Sequence, residues 1–214
     1  MTATLTIQGL EVRYGDNVAL TGVDLELPAG SSLAVIGPNG SGKSTLLNAI
    51  AGINPPFAGT ISWGGDAPAL VLQSTSVDRS LPITARDTIG LGRYPRLGLL
   101  RRSNSNDGGA VAQAMERLDI SDLAGEQLHD LSGGQRQRVL VAQGLAQQSD
   151  LLLLDEPVTG LDVTSRGLIL DVIHDEVTRG NSVIVTTHDL DDARICDQVP
   201  VSYTHLTLPT ILRV

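Results

Sequence analysis

Leu131-Ser132-Gly133-Gly134-Gln135 narrows the reading of this chain more than any other stretch. Ser132 at an N-cap with Gln135 three residues later makes a capping box, so a helix is predicted over 133–147. A capped helix N-terminus with two glycines and a serine hydroxyl is also a phosphate receptor, because its unpaired N–H groups and helix dipole favour an anion. The cap and the receptor are compatible readings of the same residues. The next apolar run, Leu151-Leu152-Leu153-Leu154, reads as a strand over 150–154 that ends in Asp155-Glu156. A strand apolar on both faces belongs at the centre of a parallel sheet covered on each side.

A second phosphate receptor lies upstream. Gly37-Pro38-Asn39-Gly40-Ser41-Gly42-Lys43-Ser44 fits the pattern G-x-x-x-x-G-K-[ST] completely. A short apolar strand (32–36) runs into it, and a helix (43–51) that carries Thr45 runs out of it. The glycines let the backbone wrap closely round phosphate, and the helix adds its positive end. Lys43 is suited to β- and γ-phosphates and the Ser44 hydroxyl to Mg²⁺. Asp155 is then the natural second holder of Mg²⁺, directly or through water, and Glu156 the natural base or orienter for an attacking water. In an α/β fold such chemistry sits at the ends of parallel strands. The bland readings are a glycine turn before a helix and two solvated carboxylates; the presence of both motifs in one chain weighs against them.

The 214 residues suffice for one sizeable core, and 41% of them are hydrophobic, which excludes disorder throughout. The net charge of -9 argues against nucleic acid as a partner while leaving room for one bound nucleotide. The lone cysteine, Cys196, allows no internal disulfide and reads as a small apolar residue on a helix. The start of the chain has neither the basic nor the apolar region of a signal peptide, and no apolar run is long enough to span a bilayer. Work at a membrane would therefore need another subunit.

Strands are expected over 5–14, 18–27, 59–63 and 69–73, with a Gly15-Asp16-Asn17 turn between the first two. From about 74 to 126 the character changes to a helical insertion with a mobile loop, with helices over 85–92 and 109–118 and the polar run Ser103-Asn104-Ser105-Asn106-Asp107. Helix 163–178, strand 182–187 and a short helix from Asp189 complete the alternation.

Taken in order, the phosphate loop, Gln73, 131–138, 151–157 and His188 resemble the ATP-binding cassette (ABC) ATPases over about residues 5–199. The resemblance implies an α/β P-loop NTPase fold. A RecA-like core would carry a small antiparallel β subdomain and a helical subdomain at roughly 74–147, all within a cassette spanning 1–199. By similarity Tyr14 matches the aromatic that stacks on adenine. Gln73 matches the loop glutamine that senses Mg²⁺ and the attacking water. Gly160-Leu161-Asp162 matches the loop linking two cassettes, and His188 the switch histidine at the γ-phosphate. Alone, Tyr14, Gln73 and His188 would be surface or packing residues; their order and spacing raise them.

The resemblance further implies ATP and Mg²⁺ as cofactors and a second cassette, closing head to tail so that Ser132, Gly133, Gly134 and Gln135 of one complete the nucleotide site of the other. It implies polytopic permease subunits, an extracytoplasmic solute-binding protein acting through them, and a cytoplasmic place on the inner face of the cell membrane. Residues 76–84 and 92–100 resemble the ATPase subunits of manganese and zinc importers, and are shared with iron-chelate importers. A soluble ABC ATPase of repair or translation is the alternative of another class; it would carry coiled-coil inserts or tandem cassettes. After Val199 the chain departs from the family, and residues 200–214 resemble translated adapter read-through, so this tail is expected to be non-native.

Overall fold

The computed structural model describes residues 4–73, 82–97, 105–194, 196–200 and 211–213. In chain order the elements are β1 (Leu5–Tyr14), β2 (Asn17–Leu27), β3 (Ser32–Ile36), α1 (Lys43–Ile50), β4 (Ala58–Ser62), β5 (Ala69–Val71), α2 (Ala85–Leu91), α3 (Tyr94–Leu97) and α4 (Ser105–Arg117). A 3₁₀ turn (Ser121–Leu123), α5 (Gly133–Ala146), β6 (Leu151–Asp155), α6 (Val163–Thr178), β7 (Ser182–Thr187), α7 (Leu190–Ala193), β8 (Gln198–Pro200) and β9 (Ile211–Arg213) follow.

Two sheets result. β1 pairs antiparallel with β2 on one side and β4 on the other, which is the expected antiparallel subdomain. The larger sheet has the order β5-β6-β7-β3-β8-β9, parallel throughout except for the last pair. This is the P-loop NTPase architecture.

The central strands are apolar at every position because they serve two cores. Side chains alternate across a sheet. Leu33, Val35, Leu151, Leu153 and Ile184 point into a cluster shared with α1 and the antiparallel sheet. Ala34, Ile36, Leu152, Leu154, Val183 and Val185 point into the other, shared with α2, α4, α5 and α6. Each buried leucine in the run Leu151 to Leu154 contributes about 2 kcal/mol. Gly144 lets α5 lie close on the sheet, since a Cβ there would meet Val71 Cγ2 at 2.5 Å. The helical part therefore shares a continuous apolar layer with the main sheet.

Local signals set the helix starts. Thr84 caps α2 in a capping box with Asp87, and Asp162 caps α6 by accepting from the Ser165 N–H. α4 is the exception. It starts at Ser105, ahead of the predicted 109, and takes in Asp107, which the sequence placed in a loop. Asp107 is buried and pairs with Arg93 at 3.0 Å; Arg93 also donates to Ala146 O at 2.6 Å and Gln148 Oε1 at 2.9 Å. An acidic residue in a first turn favours the helix, and this tertiary ion pair outweighs the poor helix propensity of Gly108 and Gly109. Of the stretches resembling metal importers, residues 76–81 and 98–100 lie outside the described residues, as do Ser103 and Asn104 of the polar run.

Residues 196–200 are tied down by Asp197, whose carboxylate accepts from the Ser32 N–H and Oγ at 2.8 Å each. Cys196 beside it is buried in the loop ahead of β8, where desolvation pushes the thiol up to about 12 against the hydrogen bond from Ser32. Within the tail, Ile211–Arg213 pair with Gln198–Pro200, while residues 201–210 lie outside the described residues. No described helix is long and apolar enough to cross a membrane.

Candidate functional site

β3 delivers the chain to Gly37, whose N–H donates to Thr187 O at 3.3 Å, so the loop starts against the end of β7. The loop then turns through Gly40 (φ 81°) and Gly42 (φ 95°), left-handed conformations that glycine adopts without strain. Lys43 opens α1 with its side chain folded back under the loop. Its Nζ donates to Gly37 O at 2.7 Å and Pro38 O at 3.2 Å. The Ser41 hydroxyl is buried without a hydrogen-bond partner, an orphan that suits an anion in the cradle. Asn39, Gly40, Gly42, Lys43, Ser44 and Thr45 line a cleft of about 350 Å³, and Gln73 and Glu156 face it from across the sheet.

β6 and β7 place the carboxylates. Their parallel register sets Asp155 opposite Thr186. Asp155 is buried behind the cleft and accepts from Thr186 Oγ1 at 2.6 Å. Glu156 turns the chain with φ 47°, a left-handed conformation unusual for a residue with a side chain. Its carboxylate, 9% exposed, gathers several groups. Lys43 Nζ lies 3.4 Å from Oε1; Thr159 Oγ1 (3.3 Å), Gln73 Nε2 (3.4 Å) and His188 Nδ1 (3.4 Å) surround Oε2. These long contacts hold Glu156 by its surroundings and leave its oxygens able to take a new partner.

Ser132, Gly133, Gly134 and Gln135 stand apart from this cleft. Their capping box forms as predicted, with the Gln135 N–H donating to Ser132 Oγ at 3.3 Å and the Ser132 N–H to Gln135 Oε1 at 2.9 Å. Ser132 and Gly133 are exposed. The helix start instead leans on the α6 cap: a Cβ on Gly134 would meet Ser165 Oγ at 2.5 Å and Asp162 Oδ2 at 2.6 Å. Hydrogen bonds from Ser165 hold the exposed Asp162 carboxyl below its ordinary value. Tyr14 does not line the cleft; it stands half exposed at the end of β1, its hydroxyl accepting from Asn54 Nδ2 at 2.5 Å.

Val18 and Ala19 line the cleft and escaped the sequence reading, since they carry no chemistry of their own. Thr159 and Thr186 escaped it too, although Thr186 stands only two residues before His188.

The comparisons agree with the geometry. Residues 20–159 match the family pattern described as ABC transporter. The manganese transport system ATP-binding protein MntB of Listeria monocytogenes is 37% identical over 86% of this chain and 80% of its own. The hemin import ATP-binding protein HmuV of Streptomyces coelicolor is 40% identical over 85% of this chain and 68% of its own. Among solved structures, a metal-chelate type ABC transporter in an inward-facing conformation superposes with a TM-score of 0.85 at 29% identity, covering 94% of this chain and 80% of that one. A dimeric bacterial ABC transporter cassette gives 0.79 at 25% identity, covering 92% and 94%. The fold and the phosphate-loop cleft define a nucleotide-hydrolysing cassette. The chain belongs to the ABC transporter family as an ATP-binding, ATP-hydrolysing subunit.

Proposed function

We propose that this ATPase powers import of a divalent metal ion, manganese or zinc. It would work as a head-to-tail pair with a second copy, docked on polytopic permease subunits at the inner face of the membrane and served by an extracytoplasmic solute-binding protein. One observation carries the pairing. The chain presents two phosphate-receptor motifs, and the one at Ser132 to Gln135 points to solvent outside the cleft that the other lines. A second copy turned head to tail brings the exposed receptor over that cleft. The manganese reading is supported by the Listeria relative, and the hemin relative supports a chelated-iron cargo as the second reading.

In this reading the N–H groups of residues 39 to 45 and the Ser41 hydroxyl bind the phosphates, and Lys43 turns its ammonium donors from Gly37 O and Pro38 O toward the β- and γ-oxygens. Ser44, Gln73 and Asp155 offer the oxygen donors that a hard cation takes, and Ser44 and Gln73 face the same cleft. Mg²⁺ held there would neutralise charge on the phosphate oxygens. Glu156 accepts a proton from the attacking water, while Gln73 and His188 orient that water and the γ-phosphate. Tyr14 stacks on the adenine at the cleft's rim, and Asp162 holds the loop that faces the partner.

The test is to tag the chain in its source cells, purify the native complex and reconstitute it in proteoliposomes. ATP-dependent uptake of radiolabelled Mn²⁺ or Zn²⁺, with no uptake of hemin, is the expected result. Hemin or siderophore uptake without Mn²⁺ or Zn²⁺ uptake overturns the divalent-metal reading, and co-purification with no membrane protein overturns the transport role.

A further inference from the structure

We propose that Thr186 is a positioning residue for hydrolysis, a single hydroxyl that sets both carboxylates of the cleft. The proposal rests on the reading that Asp155 and Glu156 act in turnover. Thr186 is completely buried, and register places it beside Asp155 across β6 and β7. Its Oγ1 donates to Asp155 Oδ1 at 2.6 Å and accepts from the Glu156 N–H at 3.0 Å. A hydroxyl has one proton to give. With that proton committed to Asp155, the lone pairs face the Glu156 N–H, so the two bonds select one rotor and reinforce each other.

Each bond has a distinct consequence. The bond to Oδ1 is charge-assisted and fixes the rotation of the Asp155 carboxylate, so the other oxygen is the one left for a further partner. The bond from the Glu156 N–H braces the backbone where it takes φ 47°. The same N–H also reaches Thr186 O at 3.2 Å, so the strand pairing survives loss of the hydroxyl while the brace on the side-chain direction does not. Valine has nearly the same shape and neither bond. It would leave Asp155 Oδ1 buried without its donor, which is costly for a charged group.

The experiment uses the full chain purified with its membrane subunits and compares Thr186→Val, Thr186→Ser and Thr186→Ala. Three quantities are read: kcat for ATP, the Mg²⁺ concentration giving half-maximal turnover, and affinity for a fluorescent ATP analogue without Mg²⁺. Thr186→Val is expected to lower kcat about 20-fold, the loss of one hydrogen bond to a charged group, and to raise the half-maximal Mg²⁺ about fivefold. Nucleotide affinity without Mg²⁺ should stay within about twofold, because Thr186 does not line the cleft. Thr186→Ser keeps the hydroxyl and should recover turnover to within about threefold of the parent. Thr186→Ala gives the same answer as Val should Val misfold. A well-folded Val or Ala variant with parental kcat and Mg²⁺ dependence overturns the proposal, as does a Ser variant as slow as Val, which would show packing to be the whole role. Parental turnover by Glu156→Gln would instead overturn the carboxylate assignment beneath it.

Discussion

Replacing Glu156 by Gln is expected to lower ATP turnover by about 10³-fold while leaving ATP affinity within about threefold of the parent. The substitution keeps the size of the side chain and its place among Lys43, Gln73, Thr159 and His188. What it removes is the capacity to take a proton from water. Loss of a general base costs about 10² to 10⁴ in rate, and no other described carboxylate faces this cleft to replace it. Affinity should hold or rise slightly, since a negative charge near the phosphates disappears while Lys43 and the loop N–H groups remain. Single-turnover hydrolysis and equilibrium nucleotide binding separate the two. Near-parental hydrolysis would reject Glu156 as the base.

Ser132→Arg is the second large effect. Ser132 is exposed at the N-cap of α5, away from the cleft of its own chain, so nucleotide binding should stay within about twofold. Turnover should fall about 10²-fold, because a long side chain at the receptor holds the two copies apart, and small misplacements of reacting groups cost that much. Loss of the cap is a separate and smaller cost, about 1 kcal/mol, which α5 tolerates because Val139, Val141, Ala142 and Leu145 are buried beneath it. Ser132→Ala isolates that cost. If Ser132→Arg turns over like Ser132→Ala, Leu131 to Gln135 is a helix cap and nothing more.

Much of the fold was legible because its signals are local. The run Leu151 to Leu154 carries apolar side chains on both faces, and both faces are covered. Gly40 and Gly42 of the phosphate loop stand where φ is positive, and the capping boxes at Thr84 and Ser132 start helices where predicted. What could not be read is non-local. The start of α4 depends on Arg93 meeting Asp107, and sequence spacing gives no measure of that pairing. Thr186 takes its partners from the register between β6 and β7, whose residues lie far apart in the chain. For the site, the phosphate loop, Gln73 and Glu156 converge, and His188 reaches Glu156, from positions scattered along the chain. Tyr14 and the pair Ser132 to Gln135 and Asp162 do not join that cleft; a rim position and a second copy, respectively, are what the proposed mechanism asks of them.

The shared active site is tested most directly by the mass of the Glu156→Gln chain in solution, measured by light scattering with saturating ATP and Mg²⁺. A chain that binds ATP and cannot hydrolyse it should accumulate as a closed pair, at twice its 22.5 kDa, and Ser132→Arg placed in the same chain should return it to the monomer. A Glu156→Gln chain that is saturated with ATP and still runs at 22.5 kDa would contradict the head-to-tail account.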